Sequence, residues 1–237
     1  MTQPTFDNIF EDSDLVPHPH SWETAQDAMS KVTRWDQLRK TFLDIRMQTS
    51  GEHTLALALL VDSIVRKLNR ELTTQMKHEM DLSLLVRATM LHDIPEGILQ
   101  TDVAFTEKKD AHSLAELRAF DLYTEGKSEE DQREIMLAYL LQFAYEMPDN
   151  FPFWAKDIMR KLRKEHHSEV VFFPFIERYD YLMMGFSHFK ATGNPGLLIT
   201  LLEGHMVDFD KAVQELPILA LIWSPGLKAR CLKVLKR

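Results

Sequence analysis

Apolar side chains recur at helical spacing along most of this 237-residue chain, and no segment shows the strict alternation of a half-buried strand. The sequence therefore predicts an all-α fold. Helices are predicted over residues 22–44, 52–70, 80–93, 107–125, 129–146, 153–166, 174–190, 196–213 and 225–236. Ser128, and Ser224 followed by Pro225, predict the starts of two helices, because a serine hydroxyl caps exposed backbone N–H groups.

The beginning of the chain differs from the rest. Residues 1–21 contain Pro17-His18-Pro19-His20 and no helical pattern, which predicts a mobile N-terminal arm. Residues 22–237 are long enough to bury one large core. The apolar runs fall short of the roughly 20 residues that a membrane span needs. Without a signal-peptide pattern, the sequence predicts a soluble, cytoplasmic protein that does not bind membranes.

Charge and cysteine content narrow the classes of partner. The formal net charge is -8, and a polynucleotide-binding surface needs clustered Lys and Arg, so this class is not expected. A small phosphorylated substrate stays compatible, because one or two arginines suffice to bind it. The single cysteine, Cys231, excludes an internal disulfide and a cysteine-rich zinc site. The sequence leaves open whether the chain forms a homodimer.

Residues 90–97 place a histidine and an aspartate side by side where an apolar helix ends. The preceding apolar residues have helical spacing, so His92 falls on or beside the buried face. Pro95 disfavours helix at Ile94 and predicts a turn just after the pair. Neutral imidazole and ionised carboxylate are good ligands for a divalent first-row ion. A metal site is one interpretation, and a purely structural His92-Asp93 pair is the other.

Two further segments offer ligands on apolar helix faces. His53 begins a stripe of apolar residues, which points its ring inward. Asp180, on a helix predicted to start near Pro174, shares a face with apolar residues such as Met183. Buried carboxylates are costly, so such a group is usually paired, protonated or metal-bound. The alternatives are a core histidine bonded to backbone and an aspartate in a salt bridge.

The order of these ligands, His53, then His92-Asp93, then Asp180, resembles the HD-domain phosphohydrolases, and within them the bacterial 5'-deoxynucleotidases of the YfbR type. The matching segments are Thr33-Arg34-Trp35, Gly51-Glu52-His53-Thr54, His92-Asp93-Ile94-Pro95-Glu96, Thr101-Asp102, Asp180 and Gly193-Asn194. The likeness spans roughly residues 30–215, with a poorly matched middle segment over about 108–170. It implies one HD-domain helical bundle over residues 22–237 and release of phosphate from deoxynucleoside 5'-monophosphates.

The resemblance also implies a cofactor, one divalent metal ion (Co, Mn, Mg, Zn or Fe). Its implied ligands are His53, His92, Asp93 and Asp180. Two imidazoles and two carboxylates leave coordination positions open for water and a phosphate oxygen.

Further roles follow from the same resemblance. Glu96 is expected near the attacking water, and Asp102 is expected to position water or substrate. Arg34 and Trp35 are expected to contact the phosphate and the deoxyribose of a nucleotide. Arg46 is the alternative residue for the phosphate, because the interval between Trp35 and the first histidine is longer than in the family.

Other functions stay open at this point. His112, His166 and His167 lie where two-metal members of the superfamily place extra ligands, which would suit a phosphodiesterase or a dinuclear oxygenase. The other alternative is a regulatory or binding module that keeps the HD fold and turns nothing over.

Overall fold

The computed structural model describes residues 22–34, 41, 42, 45, 48–72, 79–101, 103 and 108–236. The N-terminal arm predicted over residues 1–21 lies outside them. Three predicted site residues, Trp35, Arg46 and Asp102, also lie outside the described residues.

The described residues form an all-α fold, as predicted, with one small antiparallel strand pair. The strands are β1 (Thr33–Arg34) and β2 (Gln48–Thr49), and a short 3₁₀ helix covers Pro217–Leu221. The α-helices are α1 (Trp22–Lys31), α2 (Ser50–Leu72), α3 (Leu82–Leu91), α4 (Ile94–Leu99), α5 (Asp110–Thr124), α6 (Glu129–Ala144), α7 (Phe153–Glu165), α8 (His167–Thr192), α9 (Gly196–Glu215) and α10 (Pro225–Leu235).

The two predicted serine caps are confirmed. The Ser128 hydroxyl accepts a 3.1 Å hydrogen bond from the backbone N–H of Asp131 at the start of α6. The Ser224 hydroxyl accepts one of 3.2 Å from Leu227, and Pro225 stands in the first turn of α10. These bonds satisfy N–H groups that the first helical turn leaves unpaired.

The prediction of one helix over residues 22–44 is wrong. Helix α1 ends at Lys31, and β1 pairs with β2 in the register Thr33 with Thr49 and Arg34 with Gln48. The backbone N–H of Ser50 also donates to the Val32 carbonyl at 3.0 Å. Two-residue strands are too short to show alternation, so the sequence pattern could not reveal them. Their pairing holds Arg34 next to the start of α2.

Helix α8 is longer than predicted, because it begins at His167 and continues through Pro174. Proline lacks a backbone N–H and therefore removes one helical hydrogen bond, which is why a helix start was predicted there. The residues from Val170 to Phe173 are at most 2% exposed, so burial of this apolar turn offsets the missing bond.

His92 and Asp93 themselves form the turn between α3 and α4. The sequence predicted this turn just after the pair, but Ile94 already begins α4 and Pro95 lies in its first turn. Proline is tolerated at that position because the first N–H groups of a helix have no intrahelical partner. Asp93 consequently precedes the first residue of α4, and its side chain is held at the joint between two helices.

Helix α4 packs closely on α1 at Gly97. A Cβ atom added at Gly97 would lie 2.9 Å from both the backbone nitrogen and the Cγ of Met29. Met29 is 1% exposed and belongs to the apolar core shared by the helices. Glycine therefore permits the helix contact that fixes α4. Among the described residues, no helix combines the length and hydrophobicity needed to cross a membrane.

Candidate metal centre

Two histidines and one aspartate form a buried group between the first turn of α2 and the turn that joins α3 to α4. His53, His92 and Asp93 are 0%, 4% and 2% exposed. One ligand atom from each lies within 4.8 Å of the other two. Nε2 of His92 is 3.1 Å from Oδ1 of Asp93, and Nε2 of His53 is 4.0 Å from Oδ2 of Asp93. This group could hold a metal ion.

The chemistry of the two rings suits metal binding. Nδ1 of His92 lies 2.6 Å from the Thr89 carbonyl oxygen, a contact that requires a proton on Nδ1 and leaves Nε2 as the ligand atom. Within the described part of the chain, Nε2 of His53 and Nε2 of His92 have no hydrogen-bond partner. Burial lowers the pKa of His92, although the charge of Asp93 opposes this shift. A neutral imidazole is the form that binds a metal.

Asp180 reaches this group through His53. Its Oδ2 lies 3.2 Å from Nδ1 of His53, the ring nitrogen on the other side from Asp93. The Asp180 side chain is 22% exposed, and it does not belong to the group of three ligand atoms described above. Carboxylates beside a metal-binding histidine commonly orient its ring. The role of Asp180 as a metal ligand stays a prediction.

Arg34 contacts the buried group from β1. Its Nη1 lies 2.6 Å from Oδ2 of Asp93 and 3.6 Å from Oε2 of Glu96, and its Nη2 donates to the Tyr181 hydroxyl at 3.0 Å. Burial raises the pKa of Asp93, but the charge of Arg34 and its 2.6 Å hydrogen bond outweigh burial, so the pKa is lowered. The carboxylate is therefore ionised, as a metal ligand must be.

Glu96 lies in the first turn of α4, one helical turn beyond Asp93, and is 7% exposed. The Ser50 hydroxyl donates to its Oε2 at 3.2 Å. Glu96 thus stands beside the group of three without belonging to it, as expected of a residue that acts on water rather than on the metal. That role in catalysis stays a prediction.

A cavity of about 620 Å³ opens beside these residues. Its volume lies in the range of small-molecule sites. One part of its wall is polar and includes Arg34, His92, Asp93 and Glu96. Another part is apolar and includes Val103, Phe143, Met147 and Pro148. The cavity therefore presents charged groups and an apolar surface to the same ligand.

Two contacts in the cavity wall were not predicted from the sequence. Nζ of Lys108 lies 2.9 Å from Oε2 of Glu116, whose side chain is 7% exposed. Burial lowers the pKa of Lys108, but the charges of Glu116 and Glu96 outweigh it and raise the pKa, so the ammonium stays protonated. The available signal was Glu116 itself, a carboxylate among the apolar residues of α5. The other contact joins Tyr181 to Glu177, with the hydroxyl donating at 2.8 Å.

The three histidines of the two-metal alternative lie elsewhere. Nδ1 of His112 accepts the backbone N–H of Lys109 at 3.0 Å at the start of α5. His166 and His167 lie at the junction of α7 and α8, half-buried and exposed respectively. Among the described residues, none of the three belongs to the buried group.

Arg34, His92, Asp93 and Glu96 are thus brought together in the wall of the cavity. His53 is fully buried beside Asp93, and Asp180 contacts it. Trp35, Arg46 and Asp102 lie outside the described residues, and their predicted roles stay predictions. Comparisons of this chain with protein-family models, with curated proteins and with solved structures find no match.

Proposed function

We propose that this protein is a metal-dependent phosphohydrolase of the HD type, a 5'-deoxynucleotidase that releases phosphate from deoxynucleoside 5'-monophosphates. The observation that carries the proposal is the buried group of His53, His92 and Asp93 beside a buried arginine, Arg34, in the wall of a cavity. Two imidazoles and a carboxylate suit a divalent first-row ion. The arginine supplies a charge that suits a phosphate.

The residues of the group fit the implied metal, because Nε2 of His53 and Nε2 of His92, which have no hydrogen-bond partner among the described residues, both face one ionised carboxylate. His53, His92 and Asp93 would hold the ion. Asp180 is the predicted fourth ligand, but its Oδ2 contacts Nδ1 of His53 on the side away from Asp93, so its side chain would have to turn toward the ion to bind it. A bound divalent ion lowers the pKa of water toward neutrality and screens the negative charge of a phosphomonoester.

Arg34 would bind the phosphate. A guanidinium offers five N–H donors in a planar fork and matches phosphate oxygens in pairs. Its Nη1 and Nη2 contact Asp93 and Tyr181, which fix the plane of the fork beside the proposed metal position. A phosphate oxygen near Asp93 would therefore lie near both the ion and the guanidinium.

Glu96 would transfer a proton from the attacking water to the leaving group. Its carboxylate is held by Ser50 and stands next to Arg34, on the helix that begins directly after Asp93. In this place it accepts a proton from the attacking water and passes it to the leaving 5' oxygen. The P–O bond to the nucleoside breaks as the bond from the water oxygen to phosphorus forms, so phosphate and nucleoside are the products.

The nucleoside would lie along the apolar wall of the cavity, against Phe143 and Met147. An aromatic side chain offers a flat apolar surface to a base. The remaining predicted contacts of the substrate are those of Trp35, Arg46 and Asp102.

The test is an assay of phosphate release from a panel of phosphoesters with Mn²⁺, Co²⁺ or Mg²⁺. The panel holds deoxynucleoside 5'-monophosphates, their ribonucleoside counterparts, a nucleoside 3'-monophosphate and a cyclic dinucleotide. We expect release from the deoxynucleoside 5'-monophosphates that stops when the metal is chelated and in His92→Gln. A metal-loaded protein that releases no phosphate would contradict the proposal and favour the regulatory module. Cleavage of the cyclic dinucleotide alone, with two metals per chain, would favour a phosphodiesterase.

A further inference from the structure

We propose that Tyr181 is a positioning residue, whose hydroxyl, oriented by Glu177, fixes the Arg34 guanidinium and thereby sets the affinity for the phosphate of the substrate. This inference rests on the proposed function, because it takes Arg34 as the phosphate-binding residue. It concerns residues of α8 that lie beside Asp180 and were not among the predicted site residues.

The hydrogen bonds have a defined direction. Tyr181 and Glu177 stand one turn apart on α8, and the hydroxyl donates to Oε1 of Glu177 at 2.8 Å. The hydroxyl oxygen of Tyr181 in turn accepts a hydrogen bond from Nη2 of Arg34 at 3.0 Å. A tyrosine hydroxyl has a single proton, so donation to Glu177 turns its lone pairs toward the guanidinium. The order of donors is therefore Arg34 to Tyr181 to Glu177.

Both ends of the Arg34 guanidinium are consequently held. Nη1 contacts Asp93 at 2.6 Å, and Nη2 contacts Tyr181, so two different elements fix the two ends of the fork. The guanidinium carbon also lies 5.8 Å from the centre of the Tyr181 ring, within the range of cation–π attraction. Tyr181 is 7% exposed and Arg34 is 5% exposed. Because little of either side chain is exposed, water would not readily take the place of the missing Tyr181 hydroxyl as an acceptor for Arg34.

Glu177 is a strong acceptor in this arrangement. Burial raises its pKa, but nearby positive charge, including that of Lys108, and the bond from Tyr181 outweigh burial, so the pKa is lowered. The ionised carboxylate therefore keeps the tyrosine proton on its own side. A hydrogen bond to a charged group is stronger than one between neutral groups.

The expected effect is on binding more than on turnover. Arg34 would hold the phosphate in both the bound substrate and the transition state, and weakening such a contact raises KM and leaves kcat nearly unchanged. Loss of one hydrogen bond to a charged group corresponds to roughly a tenfold change in affinity. Removal of the hydroxyl should therefore raise KM about tenfold and raise the inhibition constant of inorganic phosphate by the same factor.

The experiment compares Tyr181→Phe with Tyr179→Phe in the full, Mn²⁺-loaded chain. Tyr179 is a matched control, since it lies on the same helix, half-buried, with its ring near Phe175 and 6.2 Å from it. The measurements are KM, kcat, the inhibition constant of inorganic phosphate and the Mn²⁺ affinity. We expect Tyr181→Phe to raise KM and the inhibition constant of inorganic phosphate together and to leave the Mn²⁺ affinity unchanged. Tyr179→Phe should change none of these quantities.

Glu177→Gln keeps the shape of the acceptor, removes its charge and should shift KM in the same direction by a smaller factor. Glu177→Gln also tests the inference if Tyr181→Phe does not fold. An active wild type whose KM and phosphate inhibition constant stay the same in Tyr181→Phe and Glu177→Gln would overturn the inference and leave the proposed function intact. A Mn²⁺-loaded wild type that neither releases nor binds inorganic phosphate would overturn both.

Discussion

Nη1 of Arg34 lies 2.6 Å from Oδ2 of Asp93, and the two side chains are 7% and 4% exposed. This ion pair joins strand β1 to the turn between α3 and α4. Removal of one partner of a buried pair leaves the other charge without compensation in a medium of low dielectric constant. The pair therefore contributes to the stability of the fold and also links the proposed phosphate-binding residue to a proposed metal ligand.

In the metal-free protein, Arg34→Met and Asp93→Asn should each lower the free energy of unfolding by about 3 kcal/mol, because each leaves an uncompensated buried group. The double variant should lose less than the sum of the two. Urea denaturation of the four proteins measures the coupling. The exposed pair Arg66 and Asp62 is the control, and its coupling should be far smaller. Additive effects of Arg34→Met and Asp93→Asn would contradict the buried ion pair.

Glu96→Gln should lower kcat for phosphate release by roughly 10²- to 10⁴-fold, since an amide cannot accept the proton of the attacking water. Mn²⁺ affinity should be retained, because Glu96 lies outside the group of three ligands. Glu169→Gln is the control. Glu169 is 5% exposed and accepts the backbone N–H of Asp81 at 2.6 Å, away from the cavity. Wild-type kcat in Glu96→Gln would exclude Glu96 as the base.

Gly97→Ala should lower the free energy of unfolding by about 1–3 kcal/mol, because the added methyl group meets the backbone of Met29 and overpacks the contact between α1 and α4. Gly226→Ala should have little effect, since the nearest atom to its Cβ would be Ser224 Oγ at 3.9 Å. Thermal unfolding of both variants provides the comparison. Equal stability of Gly97→Ala and the wild type would show that α4 does not approach α1 this closely.

Asp210 should stabilise the fold in a pH-dependent way. Burial raises its pKa, but hydrogen bonds from Lys228 at 2.5 Å and from Trp223 at 3.0 Å outweigh this and lower the pKa from its ordinary value of 3.8. A carboxylate with a lowered folded-state pKa stabilises above its unfolded pKa, and the contribution is lost as the pH falls through the folded pKa.

Asp210→Asn should therefore lower the free energy of unfolding at pH 7 by about 1 kcal/mol, a small value because the side chain is partly exposed. The difference from the wild type should shrink progressively as the pH falls below the ordinary pKa of 3.8. Urea denaturation of both proteins at pH 7, 4 and 3 measures this difference in the free energy of unfolding. Asp157, whose side chain is 71% exposed, is the control position. A difference that is independent of pH would be inconsistent with an ionised, hydrogen-bonded Asp210.

The inward positions of His53 and His92 could be predicted because His53 begins one apolar helical stripe and His92 follows the end of another. A polar side chain on such a face is carried into the core when the stripe is buried. The caps at Ser128 and Ser224 could be predicted for a similar reason, since a cap depends only on the next three residues. Local periodicity therefore predicted most of the helices and the inward positions of the two histidines, and Asp93 followed only as the neighbour of His92.

The remaining features depend on contacts between distant segments. Arg34 is placed by a two-residue strand pair, and its partners Asp93 and Tyr181 are 59 and 147 positions away. Pro174 carries a local signal for a helix start, but the packing of the residues before it decides otherwise. No sequence periodicity predicts such pairings, so the contacts of the Arg34 guanidinium could be identified only from the structure.

A Mn²⁺ titration by calorimetry, with elemental analysis of the metal content, tests the central claim most directly. His92→Gln removes one ligand, and His188→Gln is matched, because His188 is 8% exposed and its Nε2 also has no hydrogen-bond partner among the described residues. We expect one Mn²⁺ per chain in the wild type and in His188→Gln, with binding at least about 100-fold weaker in His92→Gln. Equal Mn²⁺ affinity in His92→Gln and the wild type, or no Mn²⁺ binding by the wild type, would contradict the metal centre.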